Sequence, residues 1–472
     1  MKELSRLGKN ATWQIFGKGL GTALSMIIVF YIIRLLGPRD YGTFTLLTTI
    51  LNIFLMIGGL GTESSMAYFL SKYKQSARDL IKKFLKIRVF LAIIGAIILL
   101  MSMNFISDYY NNPELKTYLP LIAFSMPFFI LMNVSPQIFQ GLNNLKEASI
   151  SELIFYSSKI IAIPLIIWLG LSGGIIGYAI AYFCYCLYAY KKIFHLSKEK
   201  TGTFTKIKEF TKFSFINYFG TITLFLSANL MQLLLGKNPA ELGYLDASMR
   251  IGMILSLVPN ALLTALVPIL VGKTKKEIKK VSSKILNYIL ISSLPFLAFF
   301  FFAPDFTTIA LLGPDFFGIS KIIQIASIMF FFNIISGFFE SISYSIGKNK
   351  YIVLGNIIRF ATIALLGAYA ISALNAILIL LAASLIVLLF ISIITRGHYR
   401  IDFKSAMKTI AFLIPFILSV AFDINLLIKI LLCAISIIIY LILIWKKTLD
   451  NVDRDLFRRF FIKIKSIAFK SN

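Results

Sequence analysis

Residues 34–50, RLLGPRDYGTFTLLTTI, and residues 232–251, QLLLGKNPAELGYLDASMRI, carry one signal twice. Each closes an apolar stretch on Leu-Gly and turns through a few polar residues. Each then opens the next stretch with a second glycine beside an aromatic residue. A second pair follows at similar separation: FQGLNNLKEASISELI (139–154) and SYSIGKNKYIVLGNII (343–358) both end a helix on glycine, turn through Asn and Lys, and start another. Two such correspondences about 200 residues apart predict an internal repeat.

Working outward, the 472 residues are 58% hydrophobic and 15% charged, with a mean hydropathy of +0.83. A water-soluble domain is nearer half apolar and a quarter charged. The apolar residues fall in blocks of about 20, the length that crosses 30 Å of hydrocarbon as a helix. The pattern predicts an all-α polytopic membrane protein with about fourteen transmembrane helices. The predicted spans are 11–35, 43–68, 88–107, 117–139, 149–169, 173–190, 213–235, 243–271, 284–303, 318–343, 350–371, 374–395, 406–422 and 426–445. The first reads as a retained span, since no small-residue cleavage site precedes it.

The net charge of +27 follows from topology and needs no nucleic acid. Pooling alternate connections puts 38 of the 48 Lys and Arg on the side of both termini and six on the other. By the positive-inside rule both termini are cytoplasmic and the chain sits in the cell membrane. The tail from Asp455, DLFRRFFIKIKSIAFK, alternates apolar and basic residues at helical spacing, which predicts an amphipathic helix on an anionic leaflet.

The repeat divides the chain into an N-terminal six-helix lobe (1–200), a C-terminal six-helix lobe (201–395), and two added helices with the basic tail (396–472). Parallel repeats of this kind predict two bundles facing a central cavity, with transport by rocking of one against the other. No catalytic triad, phosphate loop or metal-ligand spacing is present, and no cofactor is expected. Cys184, Cys186 and Cys433 sit in apolar segments and read as packing residues. The outward break around 303–318 is too short for the large outer loop of a glycan polymerase.

Charges inside the spans are the candidate site, because a charge near the bilayer centre costs about 2.5–3.5 kcal/mol on insertion scales. The cations are Lys18, Lys159, Arg250 and Arg359; the carboxylates include Glu63, Glu152, Asp246 and Glu340. Lys18 lies about seven residues into its span, roughly 10 Å at 1.5 Å per residue, within reach of snorkelling. Lys159 and Arg359 lie deeper. Two readings stand. In one, the cations grip an anionic substrate, Arg by paired charge-assisted bonds and Lys as a point charge. In the other they pair internally: Asp246 with Arg250 at i, i+4, Glu340 with Arg359, and Glu63 with Lys18. Tyr31, Tyr41, Tyr109 and Tyr110 read as an interfacial aromatic belt. Gly17 and Gly21 read as a close-packing face, and prolines within spans as hinges.

LLGPRDYGTFTLL (35–47), GGLGTESSMAYFLSKYK (58–74) and LGYLDASMRIGMILSLVPNALLTALVPIL (242–270) resemble polysaccharide-exporting flippases of the multidrug/oligosaccharidyl-lipid/polysaccharide exporter superfamily. The resemblance implies a transporter moving a polyprenyl-diphosphate-linked oligosaccharide to the outer leaflet for surface polysaccharide assembly, with glycan-assembly membrane proteins as candidate partners. It also implies a cationic central cavity, and Lys18 and Arg250 fall in the spans where such a cavity lies. Membrane potential, H+ or Na+ would drive movement, with Glu63, Asp246 and Glu340 as candidate coupling carboxylates. A peptidoglycan-precursor lipid flippase and a cation-coupled multidrug exporter of the same superfamily are the alternatives.

Overall fold

The computed structural model describes residues 2–59, 61–399, 403–421, 426–448 and Arg454, with side chains from Gly21 onward apart from some positions within helices. All regular structure among the described residues is helical. The first half contains α1 (Lys2–Gly59), α2 (Thr62–Lys72), α3 (Ala77–Met101), α4 (Met103–Tyr109), α5 (Leu115–Gly141), α6 (Leu145–Ser158) and α7 (Ala162–Leu196). There follow α8 (Ile207–Leu235), α9 (Pro239–Ile254), α10 (Leu257–Leu270), α11 (Lys275–Phe302) and α12 (Pro304–Leu311). The chain continues through α13 (Ser320–Ser345), α14 (Asn349–Leu366), α15 (Ala373–Ile394), α16 (Phe403–Ala421) and α17 (Leu426–Lys447).

The fourteen apolar stretches fall largely on these helices. Among the described residues, eight helical stretches are long and apolar enough to cross a bilayer, and α9 with α10 makes a ninth. Two of the eight are too long for one crossing: Gly21–Gly59 has 39 residues and Leu145–Leu196 has 52. Glycine breaks each. Gly37 has φ 69° and Gly170 φ 56°, a left-handed backbone that costs other residues a Cβ clash. Pro38 then opens the second segment of α1, where its missing N–H is harmless. Past Gly170 the returning segment of α7 packs backbone to backbone. A Cβ on Gly173 would lie 1.9 Å from the Leu165 carbonyl oxygen, and one on Gly177 would lie 2.4 Å from Ala162 Cα. The sharp turns thus fall at glycines, whereas α5 stays continuous through Pro120, Pro127 and Pro136.

The internal repeat is also a packing contact. Gly42 and Gly243 each stand four residues after the proline that opens their segment, Pro38 and Pro239. A Cβ on Gly42 would lie 1.6 Å from the Pro239 carbonyl oxygen, and one on Gly243 would lie 2.0 Å from that of Pro38. The contact is reciprocal, so the two Pro-x-x-x-Gly turns cross at their glycines. Gly21 likewise meets Tyr156, at 2.5 Å from the position of a Cβ, which supports the close-packing reading of that face.

Contacts group the chain into two compact units. One comprises Met1–Arg250, Asp305–Ile322 and Lys350–Val387; the other comprises Ile251–Pro304, Ile323–Asn349 and Leu388–Asn472. Within the second, α16 and α17 pack on α11 through Phe416, Val420, Tyr440 and Ile444, and the Tyr440 hydroxyl donates to the Ile291 carbonyl at 3.0 Å. Large apolar side chains lie fully outward, among them Trp168 and Met101, each 82% exposed, as suits a hydrocarbon solvent. The tail expected to form an amphipathic helix, 455–470, lies outside the described residues.

Candidate functional site

Within the first unit lies a cavity of about 320 Å³. It is lined by both segments of α1, by α5, by the junction of α6 and α7, and by Arg250 of α9. Polar groups enter it from Ser25, Asn52, Tyr41, Lys159, Tyr178 and Arg250. Phe44, Phe155 and Tyr182 supply aromatic walls.

Arg250 is set by a buried carboxylate. Asp246, 2% exposed, accepts from Arg250 Nε at 3.0 Å, from the Tyr41 hydroxyl at 2.5 Å and from Gln232 Nε2 at 3.3 Å. Thr49 holds the Gln232 amide in turn, donating to its oxygen at 3.0 Å. A buried carboxylate needs such partners, since desolvation would otherwise outweigh its Coulombic gain. The crossing at Gly42 and Gly243 explains how it obtains them: Tyr41 immediately precedes Gly42, so the same close approach sets it against Asp246. The Arg250 side chain keeps 41% exposure, and Nε is its one hydrogen-bonding atom engaged among the described residues. The rest of its guanidinium is available to the cavity.

Lys159 is placed by a helix break. Pro164, in the first turn of α7, has no N–H for the Ile160 carbonyl and crowds it. The chain accordingly forms a short 3-10 turn, Lys159–Ile161, between α6 and α7. The ammonium sits 4.5 Å from the ring centre of Phe155, 4.8 Å from Tyr178 and 5.7 Å from Tyr156, with Ser25 Oγ at 3.5 Å. The residue is 8% exposed and has no ion-pair partner among the described residues. Ring faces stabilise a cation by about 0.5–2 kcal/mol each without neutralising it. Two basic side chains therefore line this cavity with no lining carboxylate, and Asp246 behind Arg250 already accepts from three donors.

Two of the other expected charges, Arg359 and Glu340, do not line this cavity. Arg359 lies half-buried on α14, outside the lining of this cavity, and Glu340 lies on α13 in the second unit. Lys18 falls within α1, but its side chain lies outside the described residues. Glu63 is in the first turn of α2 and pairs with Arg88, a residue at the very start of the predicted span 88–107. Arg88, 1% exposed on α3, donates to Glu63 at 2.6 Å, to Thr62 Oγ1 at 2.7 Å and to the Gly58 carbonyl at 3.2 Å. The helix that carries it begins at Ala77, about three turns before the predicted start of the span, so Arg88 lies well inside α3. The aromatic belt also needs correction. Tyr31 and Tyr109 are exposed, whereas Tyr110 is buried and Tyr41 belongs to the site. Among the described residues no three His, Cys, Asp or Glu side chains gather to hold a metal.

A family model described as polysaccharide biosynthesis protein matches residues 7–274, more than half of the chain. The chain belongs to the polysaccharide biosynthesis protein family. No curated protein matches it by sequence. Among solved structures it is similar to the lipid II flippase MurJ in an inward closed conformation, with a TM-score of 0.73 and 16% identity over 90% of this chain and 96% of that one. It is also similar to an inward-facing MATE family multidrug transporter of the MOP superfamily, with a TM-score of 0.60 and 11% identity over 80% and 95%. A third likeness is to the MATE transporter DinF-BH in complex with R6G, with a TM-score of 0.58 and 15% identity over 83% and 95%. At these identities the likeness establishes the fold. The chain shares the fold of these transporters, and its long apolar helices make it a multi-pass membrane protein.

Proposed function

We propose that the protein flips a polyprenyl-diphosphate-linked oligosaccharide from the inner to the outer leaflet for surface polysaccharide biosynthesis. The family supplies the pathway class, and one observation carries the cargo: Arg250 and Lys159 line a single intramembrane cavity that holds more positive than negative charge. A diphosphate brings about two negative charges and many acceptor oxygens, matched by a guanidinium fork and a mobile ammonium. Tyr178, Tyr182 and Phe155 beside them offer ring faces to an adjoining sugar. In this reading the lobes 1–200 and 201–395 alternate access, the helices of 396–472 hold the polyprenyl chain, and both termini face the cytoplasm. Lys18 and Arg359 extend the cationic path, while membrane potential, H+ or Na+ supplies the drive.

The lipid II flippase is the second reading, favoured by the TM-score of 0.73 to a protein of that name. It shares the diphosphate and differs in the headgroup. Drug export fits less well, because a cationic drug would meet two cations and a carboxylate already held by three donors.

The test is flipping of fluorescent lipids in proteoliposomes. Wild type should flip a polyprenyl-diphosphate glycan, and Arg250→Gln and Lys159→Gln should each slow it about tenfold, the scale of one charge-assisted bond. Flipping of lipid II alone would select the second reading. Full activity in both variants would reject the cavity as the cargo site.

A further inference from the structure

A second hollow, of about 250 Å³, opens between α3 and α8 in the first unit and shares no lining residue with the cationic cavity. Its walls are almost wholly apolar: Phe84, Ile87 and Leu91 from α3, Ile207, Phe210 and Phe215 from α8. Ile87 is 57% exposed and Phe215 59%, so the slot opens to the molecule's surface.

The two helices are pinned above and below it. At one end the segment before α8 is tied to α3, the Phe204 amide donating to Asp79 at 2.8 Å and Lys83 Nζ donating to the Phe204 carbonyl at 3.1 Å. At the other, α8 crosses α2 at Gly61, where a Cβ would lie 2.3 Å from the Ser214 carbonyl oxygen, and Ser214 donates to Ser65 at 2.8 Å. The slot is therefore built into the packing and does not close by a helix shift that keeps these bonds.

Arg88 also lines the slot, but Glu63 neutralises it at 2.6 Å; the unneutralised charge lies at one end. Lys82, Lys83, Lys86, Lys206, Lys208 and Lys212 stand around the tied end, and all are exposed except the half-buried Lys83. Against them stand Asp79, which pairs with Lys83, and Glu209, which pairs with Lys206. Lys86 and Lys212 are the chain neighbours of lining residues Ile87 and Thr211, and no ion pair engages them among the described residues. An apolar slot with a surplus of cations at its mouth matches an amphiphile with one anionic end. The geometry points to a site for an anionic phospholipid, its acyl chain along Ile87, Leu91 and Phe215 and its phosphate at the lysines.

The test uses the full chain in bilayers of phosphatidylcholine with phosphatidylglycerol, each lipid in turn carrying the same photoactivatable acyl chain. The expected result is crosslinking to residues 87–91 and 211–215, with phosphatidylglycerol favoured about tenfold at equal mole fraction, the effect of one to two surface cations. The double variant Lys86→Gln/Lys212→Gln should abolish that preference and leave the phosphatidylcholine signal. Thr211→Trp should fill the slot and remove both signals, with the melting temperature checked to confirm folding. Equal labelling by the two lipids would overturn the proposal, as would labelling that Thr211→Trp leaves unchanged. Displacement by trace polyprenyl diphosphate would also overturn it, assigning the slot to the transported lipid.

Discussion

Two of the arginine–carboxylate pairs among the described residues, both within helical spans, are built in opposite senses. In the pair on α9 the carboxylate is sealed and the cation is open: Asp246 keeps 3% side-chain exposure and Arg250 41%. In the pair joining α2 and α3 the cation is sealed and the carboxylate is open, Arg88 keeping 1% and Glu63 23%. Both satisfy a charge that hydrocarbon would penalise. Only the first leaves exposed guanidinium donors for something else; Arg88 Nε is unpaired but buried. The direction of a buried ion pair thus separates a binding group from a brace, where the presence of a charge in a span does not.

The largest effect should come from forcing apart the contact that assembles the first pair. Gly42→Ala places a methyl group against the Pro239 backbone and should cost about 3 kcal/mol or more, read as lost folded yield and a lowered Tm. Gly243→Ala should match it; if either is silent, the crossing does not set Tyr41 on Asp246.

Next comes the brace. Arg88→Met alone should destabilise the protein by about 3 kcal/mol, whereas Arg88→Met with Glu63→Met should recover most of that loss, as replacing both partners of a buried pair does. Thermal unfolding in detergent measures both, and equal losses would show that Arg88 acts by packing alone.

Tyr41→Phe removes one donor to Asp246 and should cost about 1 kcal/mol in stability while lowering flipping a few-fold, because Arg250 loses part of its anchor. The smallest effect belongs to the exposed pair Arg39–Glu114, at 70% and 46% exposure, where Arg39→Ala should change stability by no more than about 0.5 kcal/mol.

The helical framework was legible in the sequence because hydrocarbon imposes one requirement on every span. The repeat was legible because its glycines and prolines recur at equal spacing. Asp246 and Arg250 were legible as a pair, being one turn apart on one helix. Tyr41 and Gln232 were not, since Tyr41 bonds to a residue 205 positions away and an interfacial tyrosine carries the same sequence signal. The available hint was Thr45, Thr48 and Thr49, which share a helix face with Tyr41 on an otherwise apolar segment. Lys159 was identified as too deep to snorkel, and Pro164 as an interruption of its span, but the two were not connected. Arg88 was not singled out because the predicted span begins at residue 88, whereas α3 begins at Ala77 and carries it well inside the helix.

The central claim, that Arg250 is offered to the cargo and Arg88 is not, is tested most directly by binding of polyprenyl diphosphate without a glycan to the purified protein. Arg250→Gln should weaken binding about tenfold, while Arg88→Gln with Glu63→Gln should leave it within about twofold. Equal binding by wild type and folded Arg250→Gln, or loss of binding in the double variant alone, would contradict the account.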